Sequence, residues 1–450
     1  MQRIEVKNFG PLKDVEIDIT NIVVLIGESA SGKSTLAKLV YFFNNLKDEI
    51  FRIIQDELSK KTNVGNNLIT ISALSELIYN QYIKSFGFSL IKGSKVCAIY
   101  GQIVDGILEN QFTIDFREQD GRVESNEIKN ILRKILEDCY LIIEEIKVKR
   151  NEISPDFKII GKLETNLQAQ IYRFFYDLTD SLYIPAGRTF SSSLTESMRN
   201  SLIKSISDAS KDHVVGEFGD IDLLIMIEFL DYVSKLKERL KNKTFEYLID
   251  RINSPLQLNV NTIQNAEKLA TKILKGKYKN IDGFEYINVD DDLFISIENT
   301  SSGQQEVLRI VQEIFLSITI GRPCFRIIEE PEVHLFPNSQ KSLVELFSIL
   351  SNGTNTNNHE IKSSKSIITT HSPYILASFN NLMYAGKIGI ENKKINPSLW
   401  IHQNQIRAYK LENGIAQDII DYELGLIKNE EIDEASRIIN EEFDFIDNLQ

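Results

Sequence analysis

The feature that most constrains this chain is a strand, a loop and a helix within residues 22–43. The run IVVLI at residues 22–26 is continuously apolar, which predicts a strand buried on both faces. Residues 27–34 read GESASGKS and match the pattern G-x-x-x-x-G-K-[ST], and helical spacing follows through residue 43. This strand–loop–helix unit predicts an α/β fold.

The loop has the chemistry of a phosphate cradle. Gly27 and Gly32 let the backbone turn so that successive N–H groups face one anion, and the following helix N-terminus adds positive potential. Lys33 can reach the β- and γ-phosphates, and Ser34 can offer a hydroxyl to Mg²⁺. A chance match in a Gly/Ser turn is the alternative, but the flanking strand and helix argue against it. The predicted nucleotide-binding residues are Gly27, Glu28, Ser29, Ala30, Ser31, Gly32, Lys33, Ser34 and Thr35.

Two later strands end in residues suited to the same chemistry. Residues 325–332 (FRIIEEPE) form an apolar strand that delivers Glu329 and Glu330, where one acid can hold the Mg²⁺ hydration shell and the next can polarise water. A solvated acidic turn is the alternative. His371 follows the strand-like run SIITT, at a strand end where imidazole can touch a γ-phosphate. A structural histidine is the alternative there.

The segment NTSSGQQE at residues 299–306 precedes an apolar helix. We expect Ser302 to be its N-cap, with Gln305 completing a capping box. The exposed helix N-terminus also offers N–H groups to an anion, and an anion held by another subunit fits this interpretation.

Composition narrows the class of protein. The chain has 450 residues, 42% apolar and 26% charged, which is typical of a folded chain of two or three packed units. No apolar run approaches the ~20 residues of a membrane span, and the N-terminus does not resemble a signal peptide. The three cysteines (Cys97, Cys139 and Cys324) are far apart, so we expect neither a disulfide framework nor a cysteine zinc site, and a cytoplasmic location.

Charge is uneven along the chain. The formal net charge is −13, but residues 411–450 hold twelve acids and two bases, so that the rest carries about −3. This slightly negative charge excludes a positive potential over the whole surface that would attract nucleic acid. It is still compatible with a local basic patch. Two such patches occur at residues 235–243 and 272–279, the second with Tyr278 among its lysines. Nucleic-acid contact and a solvated helical face are both consistent with them, and the solvated face is favoured.

The patterns divide the chain into four parts. Residues 1–43 and 291–400 are expected to form two halves of one head, separated by a mainly helical insertion with some strands at 44–290. Residues 195–280 have helical spacing. Residues 401–450 are predicted to be an acidic helical tail that packs on the head or docks a partner.

Taken together, these motifs resemble the ABC-type ATPases of the RecF/SMC/OLD branch. GESASGKST is similar to their Walker A, IIEEPE to Walker B with the catalytic glutamate, SSGQQE to the signature, EVHLFP to the D-loop and TTHSP to the H-loop. The segment YIPAGR at residues 183–188 resembles one seen in ATPase subunits of bacterial anti-phage systems such as Septu and PARIS. The resemblance implies a P-loop NTPase head of ABC type, a mixed sheet flanked by helices.

The resemblance also implies roles and a head-to-head dimer around ATP. Lys33 binds phosphate, Glu330 activates water and His371 senses the γ-phosphate, while Ser34 and Glu329 serve Mg²⁺. Ser302, Gly303 and Gln304 reach the nucleotide of the opposite head.

The chain departs from the family pattern in places. The Walker B acid is Glu329 rather than aspartate, the signature reads SSGQQ rather than LSGGQ, and Gln102 is only a weak glutamine-loop candidate.

Function remains open among three hypotheses. The 79 residues after His371 are too few for a nuclease domain such as OLD proteins carry, so the first hypothesis is an ATPase that controls a separate nuclease or toxin in anti-phage defence. The second is a RecF-like DNA-repair ATPase. The third is an ATP-binding scaffold with negligible hydrolysis that sequesters an effector. Arg188 is equally consistent with a nucleotide or partner contact and with a surface turn.

Overall fold

The computed structural model describes residues 1–59, 70–104, 107–115, 126–152, 155–177, 179–189, 191, 201, 220–250, 260–290, 293–321, 323–352, 364–389 and 395–428. The strands in these ranges are β1 (Arg3–Phe9), β2 (Leu12–Asp18), β3 (Ile22–Ile26), β4 (Lys95–Val104), β5 (Ile107–Asp115), β6 (Asp180–Ile184), β7 (Lys277–Ile281), β8 (Phe284–Asp290), β9 (Leu293–Ser296), β10 (Cys324–Glu329), β11 (Lys365–Thr370), β12 (Ile406–Glu412), β13 (Ile415–Asp418), β14 (Ile420–Asp421) and β15 (Leu426–Ile427).

The helices in the same ranges are α1 (Lys33–Ser59), α2 (Ile71–Phe86), α3 (Phe88–Ile91), α4 (Asn126–Arg150), α5 (Phe157–Phe174), α6 (Ile221–Leu240), α7 (Phe245–Asp250), α8 (Val260–Leu274), α9 (Ser302–Ile320), α10 (Pro337–Asn352) and α11 (Pro373–Ile388). Within the described ranges, no helix combines the length and the apolar character needed to cross a bilayer.

A ten-stranded mixed sheet organises the molecule, in the order β5-β4-β1-β2-β13-β12-β3-β11-β10-β6. From β12 to β6 neighbouring strands are parallel, whereas β5, β4, β1 and β2 are joined in antiparallel pairs. β3 lies between two strands from the far end of the chain. The expectation that the two chain ends form one α/β head with a mixed sheet flanked by helices is therefore confirmed.

Both faces of the parallel strands are covered, as the apolar run in β3 predicts. Val23 and Leu25 pack in one core with residues of α1, α2, α4 and α5. Ile22 and Val24 pack in a second core with residues of α8 to α11. A strand whose alternate side chains are buried on opposite faces must be apolar throughout, which explains IVVLI. The loop after β3 is thus held by a strand fixed on both sides.

Residues 44–290 are integrated into the head. Their described part supplies β4 and β5 to one edge of the main sheet and β6 to the other. The helical pattern expected over 195–280 holds for α6, α7 and α8, but the chain then forms the hairpin of β7 and β8. Residues 195–200, 202–219 and 251–259 of that stretch lie outside the described ranges.

The helical tail predicted for 401–450 is wrong over residues 401–428. This stretch forms β12 to β15, and β12 enters the main sheet beside β3. Ala408 and Leu411 of β12 are buried in the two cores, so sheet pairing and burial on both faces explain why this stretch is a strand. Residues 429–450 lie outside the described ranges.

A buried ion pair attaches α9 to the three-stranded sheet of β7, β8 and β9. Arg309 lies within hydrogen-bonding distance of both Glu285 oxygens, at 2.8 and 2.7 Å, and Gln312 donates to the same carboxylate at 2.8 Å. Although burial alone would raise it, the pKa of Glu285 is lowered to about 2 by Arg309, Lys237 and these hydrogen bonds. The start of α9 is therefore held from the side of this small sheet.

Candidate functional site

The parallel strands bring four separate loops to one edge of the sheet. β12, β3, β11, β10 and β6 run side by side in the same direction. Their carboxyl ends therefore share an edge, where open α/β sheets bind ligands. Gly27 follows β3, Glu330 follows β10, His371 follows β11 and Pro185 follows β6. The structure thus gathers at one edge the loop, acid and histidine segments that the sequence spreads over 345 residues.

The glycines of residues 27–34 are required by the backbone. Gly27 has φ +154° and Gly32 has φ +99°, values that side chains disfavour. A Cβ on Gly27 would lie 2.3 Å from the carbonyl oxygen of Leu411 in β12. This close approach keeps the loop at the end of β3, and α1 begins directly after it at Lys33.

Lys33 is buried and folds back on its own loop. Its Nζ donates to the carbonyl oxygens of Gly27 at 2.9 Å and Glu28 at 2.7 Å, and to Ser31 Oγ at 3.3 Å. Burial lowers the pKa of Lys33, while Glu330 and Glu332 oppose that effect. The ammonium is therefore held by carbonyl oxygens at the place where an incoming phosphate would offer stronger, charged acceptors.

Glu329 is buried at the end of β10 and held by two donors from the β6 segment. The hydroxyl of Tyr183 donates to Oε1 at 2.8 Å, and the backbone N–H of Ala186 donates to Oε2 at 3.1 Å. Burial and the Glu329 charge raise the pKa of Tyr183, so its hydroxyl stays a donor. Each carboxylate oxygen keeps a lone pair for a further donor or a cation.

Glu330 is more accessible than Glu329 and lies against His371. His371 Nε2 is 3.2 Å from Glu330 Oε1, and each side chain is 33% exposed. The backbone of Glu330 has φ +42°, and its N–H donates to the carbonyl of Thr369 at 3.0 Å. Such a conformation in a residue other than glycine is costly and persists where the surroundings enforce it. It turns this carboxylate out of the sheet toward water and the histidine.

The interpretation of Arg188 as a surface turn residue is wrong, because its side chain is fully buried. Its guanidinium donates to the carbonyl oxygens of Glu329 at 2.8 Å and Glu330 at 3.2 Å. It also donates to the carbonyl of Glu306 in α9 at 2.8 Å, and lies 3.3 Å from the Glu306 carboxylate. Arg188 therefore joins the acidic turn to α9 and is shielded from solvent.

The start of α9 differs from the prediction by one residue. The N-cap is Ser301, whose Oγ accepts from the N–H of Gln304, and Gln304 Oε1 accepts from the N–H of Ser301 at 3.1 Å. The expectation of Ser302 with Gln305 is wrong because the helix already includes Ser302. Gln304 Nε2 donates to the carbonyl of Leu274 at 2.7 Å, so its amide is used within the chain.

Gly303 brings the start of α9 against the loop after β10. A Cβ there would lie 2.5 Å from the carbonyl oxygen of His334. Ser302 is exposed beside it. The start of α9 and the loop after β10 therefore lie side by side, and a molecule bound over them would contact both.

A family model for the AAA ATPase domain matches residues 1–376. The chain belongs to this family. The match extends across the nucleotide loop, both acids and His371, and also across residues 44–290, where the sequence motifs are sparse. No curated protein matches the chain.

Several solved structures of SMC head domains are similar to this ATPase domain at low identity. An SMC head bound to the C-terminal winged-helix domain of ScpA has 15% identity and a TM-score of 0.35, covering 93% of this chain and 96% of that one. The head domain from Thermotoga maritima has 8% identity and a TM-score of 0.34, covering 93% and 97%. A Pyrococcus furiosus head with an extended coiled coil, bound to the ScpA C-terminal domain, has 14% identity and a TM-score of 0.33, covering 98% of each chain.

The residues present fit a magnesium–nucleotide complex. Ser34 lies at the start of α1, and Glu329 keeps lone pairs next to the same edge of the sheet. In the described ranges no three His, Cys, Asp or Glu side chains are grouped to hold a metal by themselves. Mg²⁺ in nucleotide sites relies on one or two protein oxygens and on the phosphates, which is the donor set found here.

Sequence reasoning did not assign several residues that build this edge. Tyr183 and Ala186 lie in the YIPAGR segment, which the sequence relates to a family but to which it gives no role at these two positions. Glu332 was included in a D-loop region without a role. A tyrosine near the end of a short apolar strand is a signal of this kind, since a buried acid needs donors from a neighbouring strand end.

The two basic stretches have local partners. Lys235 pairs with Asp231 at 2.6 Å on the exposed side of α6, and Lys241, directly after that helix, lies 3.9 Å from Glu238. Tyr278 is buried, so it does not stack on a ligand beside the lysines of 272–279. These contacts agree with the solvated-face interpretation.

Removing the Arg188 guanidinium should destabilise the head. We expect Arg188→Ala to lower the free energy of unfolding by about 3–5 kcal/mol, because it removes the buried charged partner of one Glu306 carboxylate oxygen and of four carbonyl oxygens, those of residues 185, 306, 329 and 330. Arg188→Lys should recover part of this loss, since an ammonium cannot match the planar fork. Urea denaturation measures both, with the exposed Arg239→Ala as control; equal stability of Arg188→Ala and Arg239→Ala would contradict the bridging role.

Proposed function

We propose that this AAA ATPase domain hydrolyses ATP with Mg²⁺, dimerises through its nucleotide sites and controls a separate effector protein in anti-phage defence. The observation that carries the proposal is the juxtaposition of Glu330 and His371, at 3.2 Å, on the sheet edge that also holds the Lys33 loop. A general base must be accessible and oriented, and Glu330 is both. We propose a cytoplasmic location for the protein.

In this proposal the residues at the sheet edge have distinct roles in binding and hydrolysing ATP. Lys33 leaves its loop carbonyls to bind phosphate, and Ser34 and Glu329 hold the metal and its water shell. Mg²⁺, when bound, neutralises charge on the phosphates. Glu330 accepts the proton of the attacking water, while His371 orients Glu330 and contacts the γ-phosphate.

Dimerisation is supported by what surrounds the site. Phe336, in the loop after β10, is 79% exposed, and Tyr374, at the start of α11 beside His371, is 54% exposed. Large apolar side chains next to a polar site suit a surface that another protein covers. Ser302 is exposed at the start of α9, where helix N–H groups can reach a phosphate held by a second copy.

A mass measurement tests the dimer. With ATP and Mg²⁺, Glu330→Gln should sediment at twice the mass of one 51.5 kDa chain, because hydrolysis no longer releases the partner. Adding Ser302→Glu should keep it monomeric by placing a carboxylate against the partner's phosphates. Ser72→Glu is the matched control, since Ser72 is also exposed in the first turn of a helix. A Ser302→Glu variant that dimerises like the control would refute this interface.

The effector is tested by co-purification from native cells. A nuclease or toxin recovered with the tagged protein supports the defence role. Replication or repair proteins in its place support the RecF-like ATPase, for which DNA binding should be salt-sensitive and lost on charge reversal of residues 235–243. Tightly bound ATP with background turnover, together with a sequestered effector, supports the scaffold.

A further inference from the structure

A third acidic side chain lies next to the site and has no task in the scheme above. Glu332 is 9% exposed, and its Oε1 accepts two hydrogen bonds at 2.7 Å, from the hydroxyl of Thr370 and the backbone N–H of His371. Its Oε2 is equally buried and meets no donor among the described residues. A buried carboxylate with one unsatisfied oxygen is costly, so Glu332 is a poor choice for stability alone.

Glu332 holds the backbone N–H of His371 directly and reaches the residue after the histidine through the Thr370 hydroxyl. Thr370 ends β11, and its Oγ1 also accepts from the N–H of Ser372 at 3.0 Å. His371 stands between these two anchored positions, with its Nε2 facing Glu330. Because Glu332 follows Glu330 by two residues, one turn carries both the carboxylate that contacts the imidazole and the one that holds its backbone.

We propose that Glu332 is a positioning residue that clamps the segment of His371 to the acidic turn, so that the imidazole is oriented toward Glu330. The clamp also connects His371 to the loop of Val333–Phe336, which packs on Gly303 through His334. In this proposal, a movement of His371 on contact with a phosphate also moves the loop of Val333–Phe336, which belongs to the surface proposed to contact a second chain. This inference rests on the proposed ATPase function and adds a residue to it.

The surrounding structure allows Glu332 to be changed without loss of the fold. Ser372 Oγ donates to Gln340 Oε1 at 2.6 Å, and Gln340 Nε2 donates to the carbonyl of Leu335 at 2.9 Å. Ser372 also caps α11. These contacts tie α11 to the loop after β10 independently of Glu332.

Two substitutions separate the clamp from the charge. Glu332→Gln keeps an oxygen acceptor for Thr370 and His371, whereas Glu332→Ala removes it. We expect Glu332→Ala to lower kcat for ATP by about 10²-fold at nearly constant KM, because a displaced catalytic group costs that much. Glu332→Gln should stay within about threefold of the wild type, a change of about 0.7 kcal/mol or less in activation free energy.

A double-mutant cycle identifies the partner through which Glu332 acts. If Glu332 works by orienting His371, the double variant Glu332→Ala/His371→Ala should be no slower than His371→Ala alone. Losses that multiply, or full activity in Glu332→Ala, would overturn the inference. Wild-type turnover that depends on Lys33 is measured first, so that failure of the ATPase proposal is recognised separately.

A second measurement needs no turnover. In protein labelled with [¹⁵N]histidine, the His371 amide is assigned by its loss in His371→Ala. Bonded to a carboxylate, it should resonate downfield, move upfield in Glu332→Ala and move less in Glu332→Gln, while the His402 amide stays in place. An unchanged His371 resonance in Glu332→Ala would contradict the clamp even in a protein that hydrolyses ATP.

Discussion

Glu330→Gln should lower kcat for ATP hydrolysis by about 10²- to 10⁴-fold while ATP still binds, because the amide has the same size but cannot accept the proton of the attacking water. The contact with His371 Nε2, at 3.2 Å, survives in part because the amide oxygen is also an acceptor. The backbone of Glu330 is held by Thr369 and Arg188, so the substitution leaves the turn intact.

The rate of phosphate release measures kcat, and calorimetric titration with ATP measures binding. Glu238→Gln is the control, since Glu238 is an exposed acid on α6, away from the loops of the site. Equal rates for Glu330→Gln, the control and the wild type would show that Glu330 is not the base. Loss of ATP binding in Glu330→Gln would show that Glu330 contributes to ATP affinity instead of accepting a proton.

Lys33→Ala should weaken ATP binding by at least about tenfold, because a charged hydrogen bond contributes about 1.5–3 kcal/mol. The ammonium is already desolvated and held by the carbonyls of Gly27 and Glu28, so phosphate replaces weak acceptors with strong ones. Without nucleotide, the variant loses only bonds to its own loop and should unfold at nearly the same denaturant concentration as the wild type.

Lys38→Ala is the matched control for this prediction. Lys38 lies on the same helix and pairs with Asp222 at 2.5 Å. Its removal should leave ATP affinity unchanged. If both variants bind ATP like the wild type, the loop of residues 27–34 does not hold the phosphates.

Local patterns predicted much of the fold because their signals are short-range. The run IVVLI specifies a strand covered on both faces, and the glycine loop needs only its own backbone geometry to be recognised. The acids and His371 were found for the same reason, since each directly follows an apolar strand. That these strands are neighbours came from the resemblance rather than from periodicity.

Long-range pairing explains most of what the sequence did not predict. The acidic tail was predicted to be helical from the apolar spacing of residues 418–449, whereas pairing with β3 makes residues 406–412 a strand and brings the carbonyl of Leu411 against Gly27. Arg188 follows a Pro-Ala-Gly turn, a context typical of the surface, and its burial depends on carbonyls from residues 306, 329 and 330. The cap of α9 was misassigned because two serines are adjacent and either can serve.

The residues of the nucleotide site came from motif spacing, whereas their supporting contacts did not. Glu332 shows why: its neighbours in sequence indicate an acidic turn, and its two donors come from the end of β11 and the residue after it, 38 and 39 residues later along the chain. The contacts of a buried acid can be predicted only when the strand that lies beside it in the sheet is known.

The central claim is that the two distant ends of the chain hold one nucleotide, and the structure of Glu330→Gln with ATP and Mg²⁺ tests it most directly. We predict that Lys33 leaves the Gly27 and Glu28 carbonyls to contact phosphate, with Glu329 on the metal side and His371 on the γ-phosphate side of the same molecule. Nucleotide bound elsewhere, with Lys33 still on its loop carbonyls, would contradict the account.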